Sequence, residues 1–255
     1  MADPNFSVLA IPGVPMVQKG DPLAEIIIES IRKSDIQLIN GDLICIAQKI
    51  VSKAEGRLIS LKTVEPSKEA LELAGETEKD PRLVQLILNE SSEVIRKKAG
   101  IMIMRHRLGL VGAHAGIDQS NIDHEMQENA LLLPIDPDQS ASDLKSVIDK
   151  TENVNIGVII TDSNNRPWRL GTVGTAIGAA GVEVLTDHRG GFDLYGRELK
   201  VTLINRADAL AGAATLAMGE TTERTPLVII RGLVAADSAH TASMINRPIE
   251  EDLFR

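Results

Sequence analysis

The sequence predicts a mixed α/β protein whose helices and strands do not alternate regularly. Short apolar runs bounded by Gly, Pro or Asn are typical of strands, and longer segments with capping residues at their ends are typical of helices. The chain has 255 residues, of which 43% are hydrophobic and only 2% aromatic, so its core must be aliphatic. This length suits one large domain or two modest lobes.

The charge balance excludes some classes of function. A net charge of -9 argues against a general nucleic-acid or membrane-surface binder, because both need basic faces. Cys45 is the single cysteine and lies in an apolar run, so we expect a core residue and no disulfide within the chain. No stretch approaches the ~20 apolar residues of a membrane helix, and the N-terminus lacks signal-peptide features. We therefore expect a cytoplasmic protein.

The first half of the chain predicts four strands and three helices. Predicted strands cover 6–11, 43–47, 100–106 and 108–114. Predicted helices cover 21–34, 66–78 and 80–91. Asp21 and Pro22 suit the N-cap and first position of the first helix, and Asp80-Pro81 divides the other two.

The second half predicts three strands and two helices. Helix 136–150 has acidic residues in its first turns, and helix 206–219 ends at a glycine. Strand 155–163 is almost continuously apolar, which indicates burial on both faces. The remaining strands are predicted at 198–204 and 226–232. The glycine-spaced stretch 171–181 lacks the dinucleotide-binding fingerprint and is interpreted as a packed loop or the start of a helix.

Four polar stretches follow or interrupt apolar segments, and strands that end at one sheet edge commonly bring such stretches together around a ligand. They cover 47–53, 112–121, 161–169 and 218–225. Their hard oxygen donors suit Mg²⁺ or Mn²⁺ and are Asp118, Asp162, Ser163 and Glu220. Their cations suit phosphate and are Lys53, Arg166 and Arg169. This inventory favours metal-assisted phosphate chemistry, although a strand-end or helix cap would also explain Asp162 or Asp118. Trp168, between the two arginines, is interpreted as a packing residue that braces the turn.

Seven segments in order resemble the coenzyme F420-0:gamma-glutamyl ligases over nearly the whole chain. They are GDLICIAQKIVSKAEGR, KDPRLVQLIL, AGIDQSN, LLPIDPDQSA, VIITDSNNRPWR, AIGAAGV and DLYGRELKVTLINRADALAGAATLAMGE. Some bacterial relatives carry a further nitroreductase-like domain, whereas this chain resembles the stand-alone type. The resemblance implies a single ligase-type domain over 1–255 with two intimately joined lobes, mixed sheets and a family-specific fold, neither Rossmann nor P-loop. It also implies a homodimer.

The resemblance implies a reaction in which GTP phosphorylates the terminal carboxylate of F420-0 and the amine of L-glutamate attacks the acyl phosphate. Further glutamates would be joined through their γ-carboxylates. Two Mg²⁺ or Mn²⁺ ions, with K⁺ as a further ion, would be held by Asp118, Asp162, Ser163 and Glu220. Asp118, Asp162 and Arg166 would be catalytic. The nucleotide would contact Ile11, Pro12, Gly13, Val14, Gln48, Lys53, Asn121, Met218, Gly219, Glu220 and Thr221.

Departures from the family pattern leave the acceptor open. The family tends to carry Asn at His114, and Gln and Asp at Thr172 and Gly174. It usually has Gly at Asn165, where Asn also tolerates a left-handed turn. Two alternatives therefore stand beside the glutamate ligase. One is the same chemistry on another F420-like or carboxylate acceptor, and the other is a nucleotide-binding sensory protein without turnover. Three retained acidic residues favour catalysis.

Overall fold

The computed structural model describes residues 5–124, 128–165, 167–233 and 238–253. Within them the strands are β1 (Ser7–Ile11), β2 (Leu43–Ala47), β3 (Leu58–Ser60), β4 (Ser91–Lys98), β5 (Ile101–His106), β6 (Val111–Ala113), β7 (Asn129–Leu131), β8 (Gly157–Asn165), β9 (Thr172–Ala180), β10 (Leu185–Asp187), β11 (Leu203–Asn205) and β12 (Leu227–Arg231). The α-helices are α1 (Leu23–Lys33), α2 (Gln48–Ala54), α3 (Lys68–Thr77), α4 (Pro81–Asn89), α5 (Pro137–Glu152) and α6 (Arg206–Met218). The predicted mixed α/β class is confirmed.

A five-stranded mixed sheet forms the centre, in the order β1-β12-β2-β8-β9. Only β2 and β8 pair in parallel, and the other neighbours are antiparallel. Consequently β1, β2 and β8 run in the same direction and end at the same edge, where β12 begins. Helices cover both faces, so the inner strands are buried on both sides, as predicted for β8, whose first five residues are buried before its polar end at 162–165.

Aliphatic side chains fill two cores, one on each face of this sheet. On one face, α1 and α5 contribute Ile27, Ile31 and Ile148, all essentially inaccessible to solvent. On the other, α6 packs its alanines against Cys45 and Ile159. Cys45 is fully buried and free, as predicted, and its burial raises the pKa of the thiol to about 12.

A third core lies beneath the antiparallel sheet β4-β5-β6. Helices α3 and α4 pack Leu73, Val84 and Ile87 against Met102 and Met104 of β5. The side chain of Asp80 accepts a hydrogen bond from the Arg82 N–H and caps α4, in agreement with the predicted helix start.

The stretch 171–181 is a strand, β9, so its interpretation as a loop or helix start was wrong. Its glycines permit close packing by helices. A side chain at Gly178 would lie 2.2 Å from the Pro137 carbonyl oxygen of α5, and one at Gly174 would lie 2.4 Å from the Ala211 carbonyl oxygen of α6. A register shift between β8 and β9 separates the two positions and lets them meet helices on opposite faces.

Three further sequence predictions need correction. Strand β4 was assigned partly to a helix and otherwise missed, because its largely polar edge position gives no apolar alternation. The predicted strand 198–204 shrinks to Leu203–Asn205, since 198–202 pairs only through an isolated bridge of Glu198 with Phe192 and separate backbone hydrogen bonds to 188–191. Asp21 does not cap α1; its carboxylate accepts from the Gln18 N–H instead.

Among the described residues, no helix is long and apolar enough to cross a membrane. The predicted single domain with two lobes stays a prediction.

Candidate active site

The strand ends of the central sheet bring most of the predicted site positions to one edge. Pro12–Val14 follow β1, Gln48 follows β2, and Asp162 and Ser163 lie near the end of β8. The segment 218–225 leads into β12, and the Ala47 N–H donates to the Pro226 carbonyl oxygen at 2.9 Å. These polar stretches lie near one another because β1, β2 and β8 end at the edge where β12 begins.

Asp162 and Ser163 extend from the buried part of β8. Thr161, the last fully buried residue, donates its hydroxyl to the Ile46 carbonyl oxygen at 3.4 Å. The Asp162 carbonyl oxygen accepts from the Thr175 hydroxyl at 3.3 Å, and Ser163 donates to the Glu220 carboxylate at 2.7 Å. The strand thus fixes the backbone while the two side chains reach the site.

Asp118 is held by a short backbone pairing and by helix α2. Its N–H and carbonyl oxygen exchange hydrogen bonds with Leu131, at 2.9 and 2.8 Å. Its carboxylate accepts from Lys49 and, at 3.1 Å, from the amide of Gln48. Gln48 is itself oriented by a hydrogen bond of 2.9 Å from Ser52.

Lys53 lies one turn beyond Lys49 on α2. It donates to the Asn121 carbonyl oxygen at 3.1 Å, and Asn121 has a left-handed φ of 55°. Burial lowers the pKa of Lys53, the neighbouring charge of Lys49 lowers it further, and Asp123 opposes both. Two cations thus share one face of a short helix.

The segment Met218–Thr221 ends α6 and begins the connection to β12. Met218 is buried, and its sulfur accepts a hydrogen bond from the Thr161 hydroxyl at 3.8 Å. Gly219 has a left-handed φ of 73°, and any side chain there would collide with Glu223. Glu223 in turn accepts from the Thr221 N–H at 2.8 Å. Only glycine fits this turn, which presents Glu220 to Ser163.

The loop after β1 brings together the remaining predicted nucleotide positions. Ile11 is completely buried in the core, Pro12 and Gly13 are exposed, and Val14 is half-buried. Gly13 has a φ of 77° with open space around its Cα, so its backbone is accessible to a ligand. Ile11 can therefore contribute backbone atoms only.

Negative charge is unbalanced around Asp162. Burial raises the pKa of its carboxyl to about 7, and the charges of Asp118 and Glu220 add to this rise. The Ser163 N–H and the charge of Lys49 act in the opposite direction but do not compensate. The carboxylates of Asp118, Asp162 and Glu220 therefore affect one another electrostatically.

These donors suit a hard divalent cation in chemistry and charge. A cation would relieve the repulsion that raises the Asp162 pKa, and carboxylate and hydroxyl oxygens are the ligands that Mg²⁺ and Mn²⁺ prefer. Within the described ranges, however, no three His, Cys, Asp or Glu side chains are arranged as a metal site. Lys49 neutralises Asp118 directly.

The turn after β8 does not have its left-handed backbone conformation at Asn165, where the sequence predicts it. Asn165 remains in β8 with extended backbone, and the left-handed φ of 57° belongs to Trp168. Trp168 is 80% exposed, so it is not buried in a core, and its bracing of the turn stays a prediction. Arg166 lies outside the described residues, and its catalytic role stays a prediction. Arg169 is exposed.

Sequence reasoning missed Lys49 and a narrow cleft beside Asp162. The cleft is lined by Asp162 and Asn164 of β8 and by His106 and Gly112 of the sheet β4-β5-β6. Leu110, Ala115, Gly116 and Leu133 complete the lining. A side chain at Gly112 would lie 2.8 Å from the Asn164 amide oxygen, so the two sheets meet closely here. The i, i+4 spacing of Lys49 and Lys53 was the available signal for Lys49.

The three departures that leave the acceptor open, His114, Thr172 and Gly174, occupy different surroundings. Gly174 faces α6 and has no room for a side chain, so it is a packing position and not a contact for an acceptor. Thr172 is exposed at the start of β9, opposite Asn165. His114 has a left-handed φ of 54°, and its buried Nε2 has no hydrogen-bond partner among the described residues. Burial, followed by the nearby charge of Lys79, lowers the His114 pKa.

A sequence model of the F420-0:Gamma-glutamyl ligase family matches residues 13–232 of this chain. The chain belongs to this family. It is 43% identical over 253 residues to a coenzyme F420:L-glutamate ligase of Methanothermobacter thermautotrophicus, covering 98% of this chain and 99% of the relative. A ligase of the same name from Methanopyrus kandleri is 45% identical over 256 residues, covering 99% and 98%. The Archaeoglobus fulgidus ligase is 41% identical over 252 residues, covering 98% and 97%. The resemblance to this ligase family is thereby confirmed over nearly the full length.

Proposed function

We propose that the protein is a GTP-dependent ligase that joins L-glutamate to the terminal carboxylate of F420-0, in coenzyme F420 biosynthesis. Membership of the family supports the reaction class, and the names of the relatives support the substrates. The observation that carries the proposal is a set of contacts near one sheet edge: Lys49 pairs with Asp118, Lys53 donates to the Asn121 carbonyl oxygen, and Ser163, next to Asp162, donates to Glu220. Phosphoryl transfer between two anions needs such a mixture of cations and metal-binding oxygens.

The reaction proceeds in two steps. A carboxylate oxygen of the acceptor attacks the γ-phosphorus of GTP, and the bond to GDP breaks, leaving an acyl phosphate. The amine nitrogen of L-glutamate then attacks the acyl carbon, phosphate leaves, and the amine loses a proton as the amide forms. Further glutamates are added in the same way through γ-carboxylates.

The chain's own residues hold and neutralise the reactants. Lys53 neutralises the nucleotide phosphates, while Gln48 and Asn121 contact the nucleotide beside the backbone of Pro12–Val14. Asp118, Asp162, Ser163 and Glu220 would hold two Mg²⁺ or Mn²⁺ ions. When bound, such ions would supply charge neutralisation and in-line alignment of the attacking and leaving oxygens.

A direct assay tests the proposal. GDP release should require F420-0 and L-glutamate together with GTP and Mg²⁺ or Mn²⁺, and mass spectrometry should find F420-0 extended by glutamate. GDP release with another carboxylate only would favour a different acceptor. Tight GTP binding without turnover would favour a sensory protein. K⁺ dependence is measured in the same assay.

Lys53→Ala should raise the KM for GTP by about ten- to a hundred-fold, the effect of losing one charge-assisted contact. Lys62→Ala, a lysine beyond β3 and outside the proposed site, serves as control. Equal KM values for GTP in the two variants would contradict the placement of the phosphates beside Lys53.

We further propose that the protein acts in the cytoplasm as a homodimer. Segment 188–204 supports the dimer, because it exposes a set of large apolar side chains that a monomer would leave in water. Leu194 is 99% exposed and Tyr195 95% exposed, and Phe192 and Val201 add to the set. Light scattering should give twice the chain mass at micromolar concentration, and Leu194→Lys should shift the protein to monomer. A monomeric wild type would contradict the proposal.

A further inference from the structure

A cavity of about 790 Å³ lies beyond the outer edge of the central sheet. Its walls are the N-terminal half of α5, the second half of β9, the connection 107–110 and the segment 238–246. A volume of this size is typical of a site for a small molecule. No described position of the predicted nucleotide or metal set lines it.

The cavity combines an apolar floor with basic groups. Leu108, Leu110 and Ile177 form part of the floor, and Arg107 and Lys145 supply positive charge. These cations already have partners: Arg107 donates to Glu90 and to the Ile135 carbonyl oxygen, and Lys145 to Asp149 and Asn155. They therefore act on a ligand as nearby charges and not as free donors.

Two acidic residues, Asp136 and Asp138, also line the cavity, and both accept hydrogen bonds from backbone N–H groups. Asp138 accepts hydrogen bonds from the N–H groups of Ala179, Ala242 and Ser243, at 2.9, 2.7 and 3.1 Å. These bonds fasten segment 238–246 beside the cavity and occupy most of the acceptor capacity of the Asp138 carboxylate. The imidazole of His240, in contrast, buries its Nδ1 without a hydrogen-bond partner in the described part of the chain. A buried polar atom of this kind is expected to have a partner when the site is filled.

One side chain joins this cavity to the proposed site of chemistry. Leu110 lines both the cavity and the narrow cleft that contains Asp162 and Asn164. Leu110 therefore stands between the cavity and Asp162, and it must move for one end of a ligand to enter the cleft, which holds only about 10 Å³.

We propose that the cavity holds the body of the acceptor, a large organic anion with an apolar ring, and that its reacting carboxylate extends past Leu110 to Asp162. This inference rests on the proposed function and names the place of its acceptor. L-Glutamate is too small and too polar for a wide cavity with an apolar floor. The nucleotide is expected at the opposite end of the cleft, beside Lys53.

Filling the cavity tests the inference. Ser142 of α5 is exposed into the cavity, whereas Ser146, one turn further along the same helix, is exposed outside it. Ser142→Trp should raise the KM for F420-0 about ten-fold or more and weaken F420-0 binding, measured by calorimetry without GTP, by the same factor. The KM values for GTP and L-glutamate should stay within about two-fold of wild type. Ser146→Trp should change none of these values.

A second variant guards against misfolding of the first. His240→Leu keeps the apolar volume and removes the unpartnered imidazole, so F420-0 binding should weaken about three- to ten-fold. If both cavity variants melt like wild type yet bind F420-0 like Ser146→Trp, the inference is wrong. A rise in the KM for L-glutamate alone would overturn it as well. A wild type that binds F420-0 in calorimetry but releases no GDP would overturn the proposed function. The F420-0 affinities of the cavity variants and of Ser146→Trp would then still decide whether F420-0 lies in the cavity.

Discussion

Glu90 and Asp162 are both largely withdrawn from water, yet their surroundings move their pKa values in opposite directions. Burial alone would raise the Glu90 pKa, but hydrogen bonds from His106 and Arg57, with the charges of Arg57 and Arg107, lower it to about 2. Burial and the neighbouring acids raise the Asp162 pKa to about 7. Glu90 accepts from Arg57 at 2.7 Å and from His106 at 3.3 Å.

The difference separates a structural carboxylate from one available to a ligand. Glu90 joins α4 to the strand end at His106 and to Arg57, which in turn donates to the Leu133 carbonyl oxygen at 2.9 Å. Its charge is balanced within the fold. The charge of Asp162 is not balanced within the fold. A cation bound beside it would therefore be held by a favourable electrostatic interaction.

The largest expected effect is on turnover. Asp162→Asn should lower kcat at least about a hundred-fold, because an amide cannot replace the charge of a carboxylate. The metal-free variant should melt at the same temperature as wild type or higher, since an unbalanced charge is removed. Asp35→Asn, an exposed position with a left-handed φ that Asn tolerates, is the control. Near wild-type kcat in Asp162→Asn would contradict the role of this carboxylate.

Glu90→Gln should produce the reverse pattern, with a large loss of stability. Breaking a buried network costs ~3–5 kcal/mol of unfolding free energy, because the guanidinium groups of Arg57 and Arg107 lose their counter-charge. Urea unfolding measures the change. Glu128→Gln breaks only an exposed pair with Arg82 and should cost less than ~1 kcal/mol. Equal losses in the two variants would show that the Glu90 network adds nothing beyond a surface pair.

The pH dependence of stability sharpens the same contrast. The folded-state pKa of Glu90 lies below its usual value of 4.5, so its stabilisation is complete above that value and is lost as the pH falls towards 2. The stability difference between wild type and Glu90→Gln should therefore be constant from pH 7 to about 5.5 and shrink below it. Urea midpoints at several pH values give this curve. A difference that is independent of pH down to 3 would refute the assignment.

The smallest effect is expected at Lys49. Lys49→Met leaves Asp118 without its cation, but both side chains of the pair are more than a quarter exposed. The free energy of unfolding, measured with urea, should therefore fall by about 1 kcal/mol or less. Lys33→Met, which removes an exposed pair with Glu29, gives the baseline. A loss as large as that of Glu90→Gln would place Asp118 with the structural carboxylates.

Most of the central sheet could be predicted from the sequence because its strands are short, apolar and bounded by turn residues. Strand β9 could not, since its small residues fit the positions where α5 and α6 approach, and this packing is invisible locally. Strand β4 could not be predicted for a different reason. Edge strands carry polar residues, and such a sequence resembles a helix end or a loop. The segment before β11 has the sequence pattern of a strand, but it pairs with 188–192 only through an isolated bridge and separate hydrogen bonds.

Much of the candidate site could also be predicted, because polar residues at the ends of parallel-running strands must meet. The pairing of Lys49 with Asp118 could not, since the two residues are 69 positions apart and Asp118 lies in no regular element. The exposure of Trp168 was likewise beyond local reasoning. A tryptophan is buried in most proteins, and only the path of the chain after β8 shows that this one is not.

The position of β12 has a consequence for how the molecule is made. This strand lies between β1 and β2, so the first strand to leave the ribosome has no partner until residue 231 has been synthesised. More than 200 residues are therefore synthesised while β1 and the edge of β2 remain unpaired, before the sheet can form completely. Chains interrupted before β12 would expose two strand edges, which makes truncated products prone to aggregate and dependent on chaperones.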